Sequence, residues 1–168
     1  MPGAGIQLKI EPFGFPNAER ILTDVIRRAG SLRVPFEAAG AYLLTRTHEH
    51  FEHEESPDGE PWQALSRKYV DAPKRPNYKG GRGGQAHPIL VRSGHLMGSI
   101  TYAAGDRELA VGTNRKFKGG KSAAAIHQLG GLAGRNHAAH IPARPFLGMN
   151  HADDARIGEI LGEYLARL

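Results

Sequence analysis

The chain has 168 residues, a formal net charge of +5 and a pI near 9.7, a size that supports one hydrophobic core rather than two. It contains no cysteine, which excludes a disulfide framework, Cys-ligated zinc, an iron–sulfur cluster and a thiol nucleophile together. Apolar residues make up 40% but aromatics only 7%, and 22 Gly with 11 Pro call for an aliphatic core threaded by much irregular backbone.

Ile6, Leu8 and Ile10 alternate with Gln7, Lys9 and Glu11, which predicts a short half-buried strand ending at Pro12. Asn17 can cap a helix over 18–29, with Glu19 in its first turn and Ile21, Leu22, Val25, Ile26 and Ala29 on one face before Gly30. Pro35 suits the first turn of a second helix. Phe36, Ala39, Leu43, Leu44, Thr47 and Phe51 carry its apolar stripe to the acidic stretch Glu52-His53-Glu54-Glu55. The N-terminus lacks a basic flank followed by an apolar run, and no apolar run reaches roughly 18 residues, so a soluble chain without export signal or membrane contact is expected.

Ser56-Pro57-Asp58-Gly59 is a turn signal, and Trp62 and Leu65 beyond it suit a core edge. Over 71–85 the sequence is rich in Gly, Pro, Lys and Arg, with Lys79 and Arg82 among them, which predicts a flexible basic loop. Order should return at Pro88-Ile89-Leu90. Residues 93–100 read as one or two helical turns running into a strand, and 101–103 with 108–111 as a hairpin around Gly105-Asp106. A second basic loop over 114–122 carries Arg115, Lys116, Lys118 and Lys121. Then Ala125-Ile126-His127-Gln128-Leu129-Gly130-Gly131 and Ile141-Pro142-Ala143-Arg144-Pro145-Phe146-Leu147-Gly148 read as backbone bent twice and docked on the core. The last helix is capped by Asn150, opens with Asp153 and Asp154, and presents Ile157, Ile160, Leu161, Tyr164, Leu165 and Leu168 on one face. The sum is a single α+β domain over 1–168: a small antiparallel sheet packed by two N-terminal helices and a C-terminal helix, with long basic loops.

Several constellations could carry chemistry. His48-Glu49-His50-Phe51-Glu52-His53 fails the zincin pattern, because the residue four after His48 is Glu52, so it reads as a solvated polar helix end. Gly120-Lys121-Ser122 resembles the end of a phosphate-binding loop, but Arg115 stands where its first glycine belongs. The two basic loops are able to meet phosphates, although only Tyr78 and Phe117 could stack on bases. His127 and Gln128 have no nucleophile nearby in sequence and read as groups that satisfy buried backbone at a bend. Arg144, between two prolines, reads as a hydrogen-bond hub or an interface ion-pair partner. No cofactor site is expected.

Taken in order, Phe51, Pro57-Asp58-Gly59-Glu60-Pro61-Trp62-Gln63-Ala64-Leu65, Gly94-His95-Leu96-Met97-Gly98-Ser99-Ile100, Val111-Gly112-Thr113, Ile126-His127-Gln128-Leu129-Gly130-Gly131 and Ile141–Gly148 resemble the phage virion morphogenesis family, the tail-completion and neck proteins of Mu-like and P2-like phages. The chain departs from that pattern at Ala123-Ala124, where the family usually has Tyr-Ala, and at Leu129, where it has an aromatic. The resemblance implies a non-enzymatic virion protein that completes the tail or joins head to tail as a homo-oligomeric ring in the neck, with about six copies. Its implied partners are neighbouring connector and tail-tube proteins, with nonspecific contact to packaged DNA through the basic loops. On that reading His127, Gln128, Arg144, Pro145 and Phe146 serve assembly, as a scaffold corner that presents a subunit edge. A head-side adaptor or stopper ring is the alternative within the class. Outside it stand a nonspecific nucleic-acid-binding domain and a metal-dependent hydrolase.

Overall fold

The computed structural model describes residues 30–70, 87–115, 122–133 and 139–168. The expected strand at 6–10, the helix at 18–29, the basic loop at 71–85 and most of the one at 114–122 lie outside these residues.

Helix α1, Arg33–His53, is the central element, and Pro35 falls in its first turn, where a missing N–H leaves no helical acceptor unpaired. Pro35, Phe36, Ala39, Gly40, Leu43, Thr47, His50 and Phe51 are its buried residues, one stripe at three- and four-residue spacing. The stripe is covered by the hairpin of β1, Thr101–Ala104, and β2, Leu109–Gly112. Tyr102 pairs with Val111 and Ala104 with Leu109, which places these four on the face that meets α1, as period-two alternation requires. Gly40 permits the contact: a Cβ there would stand 2.7 Å from Cγ of Tyr102. The hairpin's turn is tied back to the start of α1, with Leu32 N–H donating to the Asp106 carbonyl (3.1 Å) and the Ser31 hydroxyl to the Asp106 carboxylate (2.6 Å).

At its far end α1 stops on Glu54, which adopts a left-handed φ of 57°. A non-glycine residue there costs about 1 kcal/mol, offset by what Glu54 holds in place. Its carbonyl accepts from Trp62 N–H (2.7 Å), and its carboxylate accepts from Ile89 N–H (2.5 Å). The expected turn comes next, with Gly59 N–H donating to Ser56 O and Ser56 N–H to Glu60 O. A one-turn helix α2, Arg67–Val70, precedes the second described segment, in which the 3-10 turn Met97–Ser99 runs into β1 as the sequence suggests.

Helix α3, Ala123–Leu129, is followed by a second two-stranded sheet, β3 (Gly131–Ala133) with β4 (Ala139–Ile141). One expectation changes here. Residues 125–129 are helical rather than bent, because Ser122 accepts from Ala125 N–H and starts a helix, and the bend is confined to Gly130 and Gly131. Among the described residues the antiparallel pairing lies in two small two-stranded sheets, which with the helices make the expected α+β fold.

Helix α4, His151–Leu165, packs along α1. Asn150 accepts from Asp153 N–H while the Asp153 carboxylate accepts from Asn150 N–H, a reciprocal capping box. Asp153 is fully buried and also accepts from the Tyr42 hydroxyl (2.7 Å) and Arg46 Nε (3.0 Å), and Arg46 bridges on to Glu49. Burial alone would raise the Asp153 carboxyl, but the hydrogen bonds from Asn150, Tyr42 and Arg46 and the Arg46 charge outweigh it and hold the group below the usual range.

A carboxyl depressed in the folded state contributes stability above its unfolded pKa, and that contribution is lost as pH falls through the folded value. Asp153→Ala should therefore cost about 2–3 kcal/mol at neutral pH, read from urea unfolding midpoints. The gap between wild type and Asp153→Asn should shrink below about pH 4; a gap independent of pH would contradict the network.

Candidate assembly site

The residues singled out around the two Gly- and Pro-rich stretches do meet in space, and most of them turn inward. The segment 144–147 crosses the ends of α1 and α3 without joining a helix or a strand, so its peptide groups have no regular partners. Side chains supply them. Gln128 Oε1 accepts from both Phe146 N–H and Leu147 N–H (3.0 Å each), and its Nε2 donates to Leu147 O (2.7 Å). Trp62 Nε1 donates to Pro145 O (2.8 Å), and His50 Nδ1 donates to Phe146 O (3.0 Å). Arg144 N–H donates to His127 O (2.7 Å), closing the bend against α3.

The side chain of Phe146 is fully buried, 5.1 Å from the Phe51 ring, which meets Trp62 edge-on at 5.6 Å. Arg144 is only 5% exposed, and it donates through Nε to Gln63 O (2.9 Å) and through Nη2 to Ala64 O (3.3 Å). The guanidinium thus anchors the irregular segment after Trp62, and burial pulls it down from the ordinary arginine range. His127, half-buried, is pushed below the ordinary imidazole range, first by burial and second by the Arg144 charge, so its neutral form is favoured. At Gly130 (φ 73°) a Cβ would lie 2.8 Å from Ala143 N, so the close approach of the two bent stretches requires glycine.

The histidine run is where the sequence reading needs correction. His53 is exposed, as a solvated helix end should be, but His50 is buried, with Nδ1 on the Phe146 carbonyl and Nε2 without a hydrogen-bond partner among the described residues. It belongs to the stripe Leu43, Thr47, His50, so its spacing rather than its residue type was the signal. Among the described residues no three His, Asp or Glu gather as a metal site would need, and no helix is long and apolar enough to cross a membrane. Of the basic candidates, Arg115 is exposed and its N–H donates to Thr113 Oγ1, while Lys79, Arg82, Lys116, Lys118 and Lys121 lie outside the described residues. Ser122, read as the end of a phosphate loop, serves as the N-cap of α3. Sequence reasoning missed Leu129 and Leu132, two exposed leucines beside the bend.

Gln128→Ala removes three hydrogen bonds from one buried stretch and should cost about 2–3 kcal/mol. Gln128→Glu keeps the two acceptor contacts but sets a carboxylate against Leu147 O; thermal unfolding should place it near the alanine variant, and wild-type stability in either would contradict the geometry.

Residues 15–166 match the phage virion morphogenesis family. One relative, the Mu-like prophage FluMu G protein 2 of Haemophilus influenzae, is 44% identical over 79 residues, which cover 47% of this chain and about half (53%) of that protein. Another from the same organism, FluMu G protein 1, is 30% identical over 127 residues, 75% of this chain and 74% of the relative. No solved structure matches. With a match that runs from ahead of α1 to the end of α4 and takes in the whole corner, the chain belongs to the phage virion morphogenesis family.

Proposed function

We propose that this chain is a structural, non-enzymatic component of the virion that completes the tail or joins it to the head, acting as a homo-oligomeric ring in the neck. The observation that carries the reading is the match over 15–166, within which the most polar residues of the central corner are committed to backbone groups of the same chain. Gln128 and Arg144 spend their hydrogen-bonding capacity on carbonyls and amides, which is how a rigid corner is built. His127, Gln128, Arg144, Pro145 and Phe146 then serve assembly by fixing the shape of the protomer, and the surfaces beside them meet the neighbours. Neighbouring connector and tail-tube proteins are the partners. Arg115, with the basic side chains Lys79, Arg82, Lys116, Lys118 and Lys121, faces packaged DNA or acidic surfaces of those neighbours.

A phage that encodes this chain, deprived of it, should yield filled heads and tubes that fail to join, or tails with abnormal ends, seen by electron microscopy of the lysate. Normal infectious virions without the protein would overturn the proposal.

A further inference from the structure

Among the described residues two that are not glycine adopt left-handed backbone, Glu54 (φ 57°) and Leu90 (φ 63°), and a hydrogen bond links their segments. Ile89 N–H, one residue ahead of Leu90, donates to the Glu54 carboxylate at 2.5 Å. The two positions differ in kind. Glu54 follows the last turn of α1, where helices often end left-handed, and the N–H groups of Glu54 and Glu55 both close on His50 O. Leu90 has no helix end to account for it. Val91 N–H donates to Pro88 O (3.1 Å), so Leu90 is the third residue of a four-residue turn, where a positive φ calls for glycine and a bulky side chain is strained.

Strain of this kind persists only where the surroundings fix it, and for residues 88–91 those surroundings are few. Ile89 is buried in the core, Leu90 and Val91 lie half-buried against it, and Pro88 is exposed. Among the described residues, the bond from Ile89 N–H to Glu54 is the one hydrogen bond that joins 88–91 to a distant part of the chain. Glu54 also faces the other way. Its carbonyl accepts from Trp62 N–H (2.7 Å), and Trp62 in turn donates to Pro145 O. The backbone of Glu54 therefore belongs to the corner, and its side chain to the turn at 88–91.

We propose that residues 88–91 are a strap held shut under strain by the Glu54 carboxylate, and that it opens as a local unit while α1 and the corner stay folded. Opening gives up one charge-assisted hydrogen bond and the burial of Ile89, and it releases Leu90 from the left-handed region. That loss is far smaller than global unfolding, so the strap belongs to the low-stability end of the fold. The open form uncovers Ile89 and Leu90, an apolar surface that the closed form hides, and frees the Glu54 carboxylate. The inference concerns a single protomer and is independent of the ring reading above.

Full-length variants separate the two roles of Glu54. E54G keeps the left-handed helix end, which glycine adopts freely, and the carbonyl that holds Trp62, but it removes the carboxylate. L90A and L90G both remove the leucine chain, so the difference between them reads the backbone at position 90 alone. With Glu54 present, L90G should exceed L90A by about fivefold or more in folding equilibrium constant, from urea unfolding. In the E54G background the two should agree within about twofold, because an open strap no longer imposes a positive φ. Native-state hydrogen exchange at the Ile89 and Val91 amides should rise about tenfold or more in E54G, while Phe146 and Leu147 keep their protection relative to α1. A preference for glycine at position 90 of the same size in both backgrounds overturns the strap. So does protection at Ile89 and Val91 that is lost only together with that of α1.

Discussion

The constraint on which the structure depends is that the peptide groups of 144–147 are buried without belonging to a helix or strand. Leaving a buried donor or acceptor unpaired costs about 1–3 kcal/mol each, so an irregular segment of this kind persists only if side chains are placed to meet it. Gln128, Trp62 and His50 arrive from three different parts of the chain and bond to successive backbone groups of Pro145, Phe146 and Leu147. Each of these side chains is in turn fixed by its own element: His50 by α1, Gln128 by α3 and Trp62 by the loop that Glu54 holds. The Phe51, Trp62 and Phe146 rings fill the space beneath, so burial and hydrogen bonding favour the same arrangement.

That corner also places the last helix. Leu147 leads through Gly148 and Met149 to Asn150, whose side chain caps α4 and also donates to Pro57 O (3.0 Å), so the start of α4 is set from both sides of the corner. Asp153 then links the cap to Tyr42 and Arg46 in the middle of α1. A charged group at a helix start is ordinary on the surface; here it is fully buried and tolerated because three donors surround it, one of them a guanidinium. The result is a body with little freedom between α1 and α4.

Much of this is legible in the sequence where a local rule decides the outcome. The period of α1, the hairpin around Gly105-Asp106 and the Asn150 start of α4 each arise from spacing or capping within a dozen residues. The His-Gln pair is readable as backbone support because no nucleophile accompanies it, and Gln128 does bond three backbone groups. At His50 residue type and position disagree, and position wins: a histidine among glutamates suggests water, yet its place one turn after Thr47 puts it on the buried stripe. The second hairpin is not visible, since Gly131–Ala133 and Ala139–Ile141 are too short and too rich in alanine to show alternation. Nor can local rules reveal that Arg144 reaches the carbonyls of Gln63 and Ala64, a contact between residues about eighty positions apart.

The central claim, that side chains lock an irregular segment to make a rigid corner, is tested most directly by native-state hydrogen exchange at the amides of Phe146 and Leu147. With Gln128 in place these two should exchange only through global unfolding, at the free energy measured for the middle of α1. Exchange at the rate of exposed backbone, at wild-type stability, would contradict it.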